Sequence, residues 1–301
     1  MTLPDISPSG PAAGYGENRE IFCPLCGASD AQEFISSPLF FYFQCPRCSL
    51  VFWDPGALLD AQGFYTAEYI QKRGQEIFNP GIVKAKEATA RHYLALAEKY
   101  VPKGNLLEVG CSTGIMLNVA QKNGWMVHGV EINEPAAERA ARRLKVSTIE
   151  TRDFHDGMFP GEFFSLVFLM DVIEHLPDPG AFMDSVRKKL SPGGGVLLVT
   201  PNIMSLSARI LKDRWPHLMP EHTRLFSPDS IRALMEKAGL QTISVNWALK
   251  YVSIEILRRH LECHPHILFS RPIRATLEKM ASLQNVIFPF NIGEMYVLAK
   301  K

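Results

Sequence analysis

The sequence predicts an α/β protein built around a mostly parallel sheet, with a small cysteine-bearing unit in front of it. Three observations carry this. Short apolar runs and helical patterns alternate from about residue 82 to Trp247, the signature of stacked βαβ units. A glycine-rich turn, Gly110-Cys111-Ser112-Thr113-Gly114, follows the first of those runs, where a parallel sheet presents its ligand-binding turn. Two Cys-x-x-Cys pairs, Cys23/Cys26 and Cys45/Cys48, mark off residues 20–55.

The elements follow in chain order. Met1 to Arg19 holds three prolines and three glycines and no apolar centre, so it reads as a disordered tail and not as a signal peptide. Residues 20–55 carry the strand-forming runs Phe40-Phe41-Tyr42-Phe43 and Val51-Phe52-Trp53 between and after the cysteine pairs. Residues 56–81 form a linker. From Ile82, apolar residues at Val83, Ala90, Tyr93, Leu94 and Ala97 give a helix that ends before Pro102.

Strands are expected at residues 105–109, 125–131, 146–150, 165–170, 196–200, 241–246 and 295–299. Between them, Asn133 or Glu134 caps a helix with Pro135 just inside its start. Asp178 with Pro179 opens another that runs to Leu190. Ser227, Pro228 and Asp229 open a third that stops at Gly239. Gly193 to Gly195 make the turn into the fifth strand. Residues 248–290 break the alternation and read as a helical insertion in a main domain of residues 82–301.

Of 301 residues, 47% are hydrophobic and 21% charged, a composition for one large domain and a small companion. No apolar run approaches membrane-spanning length, so no membrane partner is expected. The formal charge of +1 gives no global reason to expect nucleic acid. Six cysteines without an export signal point to a reducing compartment, and the cytoplasm is the expected one.

The glycine turn discriminates between cofactors. Glycine lets backbone approach a nucleotide closely, and an acid ending the second strand, here Glu131, can accept both ribose hydroxyls. The dinucleotide fingerprint G-x-G-x-x-G fails, because Ser112 holds its middle place and Ile115 its sixth. The P-loop fails for want of Gly-Lys-Ser/Thr.

Five segments, in order, resemble the motifs of class I S-adenosylmethionine-dependent methyltransferases. They are LLEVGCSTG at 106–114, VHGVEIN at 127–133, Arg152-Asp153-Phe154, LVFLMDVIEHLPDP at 166–179, and Leu190 to Gly195 running into Val196 to Thr200. The resemblance covers roughly Ile82 to Lys301 and is to small-molecule, ubiquinone-biosynthesis-like members. It implies a Rossmann-like, seven-stranded, mostly parallel sheet sandwiched by helices, with the last strand antiparallel. It also implies a site. Glu108 lies near the cofactor's amino group, with backbone at Gly110, Cys111 and Gly114 along its methionine part. Glu131 and Ile132 meet the ribose, Asp153 and Phe154 the adenine, and Met170 the transferable methyl. Asp156 competes with Asp153, and Cys111 also reads as a small buried thiol.

The pattern C-x2-C-x18-C-x2-C fits a tetrahedral zinc in a ribbon, with Cys23, Cys26, Cys45 and Cys48 as ligands. Four protein ligands leave no open position, so this zinc is structural. The segment is acidic, against a phosphate-binding role, and is expected to brace the main domain or its substrate cleft. A similar segment precedes the methyltransferase domain of deoxysugar C-methyltransferases.

Two places carry candidate chemistry for the methyl acceptor. Asp171, Glu174 and His175 follow the fourth strand at offsets that share a helical face. His175 could serve as a base, or the trio could hold a divalent metal. Glu221 and His222 precede the sixth strand, and His222 suits proton removal near neutrality. Tyr65 and Tyr69 could close over the cofactor. Basic residues, among them Arg209, Lys212, Arg214 and Arg224, favour an anionic acceptor such as a nucleotide-linked sugar or a carboxylate. The functional expectation is O- or C-methylation of a small molecule or glycan precursor. Alternatives are a silent cofactor-binding scaffold whose ribbon recruits a protein, or an RNA or protein methyltransferase.

Overall fold

A computed structural model describes residues 21–36, 41–53, 80–144, 149–263 and 286–301. The expected tail, most of the 56–81 linker, and Tyr65 and Tyr69 lie outside the described residues.

The main sheet is made of β4 (Asn105–Val109), β5 (Met126–Val130), β6 (Ile149–Glu150), β7 (Phe164–Met170), β8 (Leu190–Pro201), β10 (Gln241–Trp247) and β13 (Glu294–Lys300). Before it come β1 (Gln32–Ser36), β2 (Phe41–Gln44) and β3 (Val51–Phe52), and between its members lie β9 (Arg224–Leu225), β11 (Lys250–Ser253) and β12 (Ile287–Phe290). The sheet order is β10-β13-β8-β7-β4-β5-β6. From β8 to β6 all pairs are parallel. β13 runs antiparallel to both β8 and β10, as expected of the last strand. Chain order reverses between β4 and β7, which opens a crevice at their carboxyl ends.

The helices are α1 (Pro80–Ala97), α2 (Ile115–Lys122), α3 (Glu134–Leu144), α4 (Pro179–Lys189), α5 (Leu206–Leu211), α6 (Pro228–Lys237) and α7 (Ile254–Cys263). Strand alternation sorts the sheet's side chains into two cores. Leu107, Val167, Leu169, Val196 and Leu198 join one cluster with Met183, Val186, Ile231 and Leu234 from α4 and α6. Leu106, Leu166, Phe168, Leu197 and Val199 join the other with Tyr93, Leu94, Leu117 and Ala140 from α1, α2 and α3. Burial on both faces is why β7 and β8 read as unbroken apolar runs.

The expected caps hold. The Asn133 side chain accepts from Ala136 N–H at 2.9 Å, and Asp178 from Ala181 N–H at 2.9 Å. Ser227 and Ser230 cap each other reciprocally at the start of α6, and Gly239 ends it in the left-handed region at φ 68°.

Two expectations need correction. The fifth strand does not wait for a glycine turn: β8 starts at Leu190, opposite Phe164, and its register shifts before Gly195. A Cβ at Gly194 would lie 2.8 Å from the Phe164 carbonyl oxygen, so glycine lets this bulged stretch stay in the sheet. The 248–290 insertion is not wholly helical. Its described ends, β11 and β12, pair antiparallel from Lys250↔Phe290 to Ser253↔Ile287, with α7 following β11. Residues 264–285 of the insertion lie outside the described residues. No helix among the described residues is long and apolar enough to cross a membrane.

The cysteine-bearing unit does not stand apart. β1, β2 and β3 continue through β9 into one four-stranded sheet, and Cys23, Leu25, Cys45, Leu50 and Phe52 share the α4/α6 core.

Candidate active site

The candidate site lies at the carboxyl ends of β4 and β5, beside the switch point between β4 and β7. Gly110 and Cys111 N–H groups both donate to the Val130 carbonyl, at 2.8 and 3.1 Å, which ties the turn to the neighbouring strand. Gly110 (φ 74°), Ser112 (φ 49°) and Gly114 (φ 69°) are left-handed, a conformation that glycine adopts without strain. A Cβ on Gly114 would press to 3.0 Å from Ala140 of α3, and one on Gly110 to 3.0 Å from Val172. These glycines are therefore required by backbone geometry and by neighbouring side chains, before any ligand is considered. The Cys111 thiol is buried in the α1–α3 core, so only its backbone can face a ligand.

Glu131 organises the turn. One carboxylate oxygen accepts from Ser112 N–H and the other from Asn133 N–H, each at 2.8 Å. Burial raises its pKa, while the Asn133 and Ser112 N–H groups pull it back. Glu108, 6% exposed, has a buried carboxylate oxygen without a hydrogen-bond partner. Burial holds its pKa well above the ordinary value, with Lys86 opposing and Glu131 adding to the rise. A cation brought to this oxygen would favour the ionised form. Ile132 is 59% exposed at the lip. Asp153 is also exposed, while Asp156 is drawn to Lys188 at 2.7 Å. Phe154 packs edge-on against Phe182 of α4 at 5.4 Å.

Beyond Met170 the backbone turns sharply: Asp171 has φ 56° and Ile173–His175 forms a single 3-10 turn. The expected trio is thereby split. Asp171 pairs with Lys250 at 2.7 Å, and the same ammonium holds the 2%-exposed side chain of Glu294 at 2.8 Å. Burial alone would lower the Lys250 pKa, but the two carboxylates raise it. Glu174 and His175 instead meet His222. One ligand atom from each lies within 4.8 Å of the others, and the two rings are edge-on at 4.8 Å.

Glu174 is fully buried; one oxygen accepts from the Thr200 hydroxyl at 3.0 Å and the other has no partner. Burial, with Asp171 nearby, holds its pKa well above the usual range. His175 Nδ1 lies 2.9 Å from the Glu221 carbonyl, and His222 Nδ1 lies 2.8 Å from the His217 carbonyl. A carbonyl can only accept, so Nδ1 carries the proton in each ring and the neutral lone pair falls on Nε2. Burial, then the neighbouring His175 and His217, lower the His222 pKa to about 3. Glu221 gives the cluster its backbone carbonyl, not its carboxylate, whose charge is felt instead by Tyr42.

The four cysteine sulfurs lie within 4.8 Å of one another, with Cys23–Cys48 and Cys26–Cys45 Sγ separations of 3.5 Å. A disulfide needs about 2.05 Å. Tetrahedral zinc with Zn–S of about 2.3 Å spaces its sulfurs at roughly 3.8 Å, close to what is present. The two knuckles repeat one backbone pattern: Gly27 N–H donates to the Cys23 carbonyl at 2.8 Å, and Ser49 N–H to the Cys45 carbonyl at 2.9 Å.

A family model described as a methyltransferase domain matches residues 83–245, more than half of the chain. The chain belongs to this methyltransferase family. It is a class I S-adenosylmethionine-dependent methyltransferase. Curated relatives include the ubiquinone biosynthesis O-methyltransferase of Thiobacillus denitrificans, 25% identical over 150 residues, which are 46% of this chain and 64% of that one. The enzyme of the same name from Cereibacter sphaeroides is 30% identical over 150 residues, 46% of this chain and 60% of its own. The chain thus spans less than two thirds of the length of these relatives. Among solved structures, one chain of a Haloferax volcanii complex between a methyltransferase and a methyltransferase activator matches with a TM-score of 0.50. Its identity is 14%, over 75% of this chain and 96% of that one, a likeness of fold alone.

Of the residues expected at the cofactor, Glu108 to Gly114 follow β4, Glu131 and Ile132 follow β5, Asp153 and Phe154 follow β6, and Met170 ends β7, and the acceptor candidates His175 and His222 come together. Arg224 leaves the basic set expected at the cleft: it is buried and donates to the carbonyls of Trp53, Thr223 and Pro177 at 2.8 to 2.9 Å. Lys250 and Glu294 were missed, because nothing in the sequence links a lysine after β10 to an acid 44 residues later.

Proposed function

We propose that this methyltransferase methylates a hydroxyl of a small-molecule or glycan-precursor acceptor, with His222 as the proton acceptor and the zinc ribbon as a structural support. The observation that carries the reading is the meeting of Glu174, His175 and His222 next to the end of β7, with both Nε2 lone pairs directed by carbonyl contacts at Nδ1. The ubiquinone-type O-methyltransferase relatives favour oxygen over carbon as the acceptor atom.

S-adenosylmethionine supplies an electrophilic methyl group. Glu108 would meet its ammonium, Glu131 and Ile132 its ribose, and Asp153 and Phe154 its adenine, with backbone at Gly110, Cys111 and Gly114 along the methionine part and Met170 beside the methyl. The site is to hold the acceptor oxygen in line, which alone supplies much of the rate in such a displacement. His222, kept neutral by burial, has its lone pair available throughout the neutral range, but with a pKa of about 3 it is a weaker base than the near-neutral imidazole expected from the sequence. A proton arriving on Nε2 would favour ionisation of the neighbouring Glu174, whose carboxyl burial otherwise keeps neutral. Glu221 contributes through its backbone, by orienting His175.

The test is turnover, read as S-adenosylhomocysteine, against phenols, carboxylates and sugar nucleotides. His222→Ala is expected to cut kcat by about 100-fold or more, with S-adenosylmethionine binding retained. Unchanged kcat would remove the base role, and no product with any acceptor would favour a scaffold.

A second reading has one observation in its favour: the partnerless buried oxygen of Glu174 with the two imidazoles makes a carboxylate and two-histidine ligand set. Turnover that vanished on removing divalent ions and returned with magnesium or manganese would support it.

For the ribbon, native mass spectrometry should show one zinc per chain on Cys23, Cys26, Cys45 and Cys48. A mass two or four daltons below the sequence value, from disulfides, would contradict this. Cys23, Cys26, Cys45, Cys48 and Cys111 are unbridged, in keeping with the cytoplasm, the compartment we propose. An anionic acceptor remains part of the proposal through Arg209, Lys212 and Arg214, and the panel decides it.

A further inference from the structure

The segment that carries His222 has almost no secondary structure of its own. Between Trp215 and the capping Ser227 only Arg224 and Leu225 are in a strand. Five consecutive carbonyls, 219 to 223, are nonetheless all engaged by groups from elsewhere in the fold. The Tyr42 hydroxyl lies 3.0 Å from the Met219 carbonyl and 2.8 Å from that of His222. Trp53 Nε1 donates to Pro220 at 3.2 Å, and Trp53 N–H to Thr223 at 3.1 Å. The remaining carbonyl, of Glu221, faces His175 Nδ1 at 2.9 Å. Two ribbon residues, one on β2 and one just after β3, thus face four of the five, the single Tyr42 O–H lying nearer the His222 carbonyl and the Met219 carbonyl also accepting from His222 N–H at 3.0 Å.

We propose that Tyr42 and Trp53 are positioning residues that clamp residues 217–224 and so set the His222 imidazole against His175 and Glu174. Tyr42 is fully buried, and its hydroxyl is neutral and always a donor. The β3–β9 pairing, Val51↔Leu225 and Phe52↔Arg224, fixes the far end of the same segment. Arg224 closes the clamp by donating back to the Trp53 carbonyl at 2.8 Å. The ribbon therefore contributes no reacting group, yet the acceptor side of the site depends on it. The glycine turn does not: it is tied to β5 through Val130 and Glu131. This inference rests on the reading of His222 as proton acceptor for its catalytic consequence, but not for its structural one.

The experiment uses the full chain saturated with S-adenosylhomocysteine, comparing wild type, Tyr42→Phe, Trp53→Phe and His222→Gln. Tyr42→Phe keeps the packed ring and removes the hydroxyl; Trp53→Phe is the second variant should the first fold poorly. Loss of one buried hydrogen bond should speed amide exchange in 217–224 roughly tenfold. The Nδ1-protonated imidazole signal of His222 should weaken in nitrogen-15 spectra. The kcat on the acceptor found by the panel should fall about tenfold, with the S-adenosylhomocysteine Kd within twofold of wild type. Unchanged exchange and an unchanged His222 tautomer signal would overturn the clamp. Full kcat in Tyr42→Phe together with lost kcat in His222→Gln would also overturn it, leaving the base reading intact. Full kcat in His222→Gln would sink the base reading alone, and exchange in 217–224 would still decide the clamp.

Discussion

Lys250→Met should destabilise the fold by about 3 kcal/mol or more, because it leaves two carboxylates facing each other without their cation. The Lys250 ammonium reaches Asp171 at 2.7 Å and Glu294 at 2.8 Å, with Glu294 side-chain exposure of only 2%. Methionine keeps the aliphatic stem, so the loss is chiefly electrostatic. Glu294 makes the effect depend on pH. Burial, only partly opposed by Lys250, raises its pKa to about 7, above the unfolded value of about 4.3. A group raised in the folded state stabilises when protonated, and that contribution is lost as pH rises through the folded pKa. The Lys250→Met deficit should therefore be largest above pH 7 and shrink towards pH 5. Denaturant unfolding at the two pH values checks this, and Lys250→Met with Glu294→Gln should recover much of the loss. A deficit under 1 kcal/mol at pH 8 would show that the network is solvated.

Glu131→Ala is the second large expectation. It removes two charge-assisted acceptors, those of Ser112 and Asn133 N–H at 2.8 Å each, along with the contact proposed to the ribose. At about 1.5 to 3 kcal/mol for a hydrogen bond to a charged group, S-adenosylmethionine should bind at least a hundredfold more weakly. Glu131→Gln, with one carbonyl oxygen for two donors, should lie between. Titration calorimetry measures both. An affinity within threefold of wild type in Glu131→Ala would mean that the turn forms, and the cofactor binds, without this carboxylate.

Legibility in the sequence followed the distance over which each feature is specified. β4 and β7 were readable to within a residue because burial on both faces makes each an apolar run, and the caps at Asn133, Asp178 and Ser227 act within three residues. The turn at residues 110–114 and the acid Glu131 were readable for the same reason: they sit at strand ends, next to the turns that announce them. Ala140 and Val172 place a further constraint on Gly114 and Gly110, one with no local sign because neither is adjacent in the chain.

The acceptor side was harder. Glu174 and His175 looked like partners of Asp171, but the left-handed turn at Asp171 and the pull of Lys250 send it elsewhere, and His222 arrives from 47 residues further on. The pairing of Phe52 with Arg224, which joins the cysteine-bearing sheet to the segment after His222, spans most of the chain and leaves no local pattern. β11 and β12 escaped notice because four-residue strands, one containing Pro289, carry too short a period to be told from loop.

S-adenosylmethionine is proposed to lie across the carboxyl ends of β4 and β5, and a crystal structure with S-adenosylhomocysteine would show whether it does. Both ribose hydroxyls are expected within about 3 Å of the Glu131 carboxylate, the amino group beside the partnerless oxygen of Glu108, and the sulfur pointing towards His175 and His222. A nucleoside bound away from Glu131, or a sulfur turned away from the histidine pair, would contradict this placement.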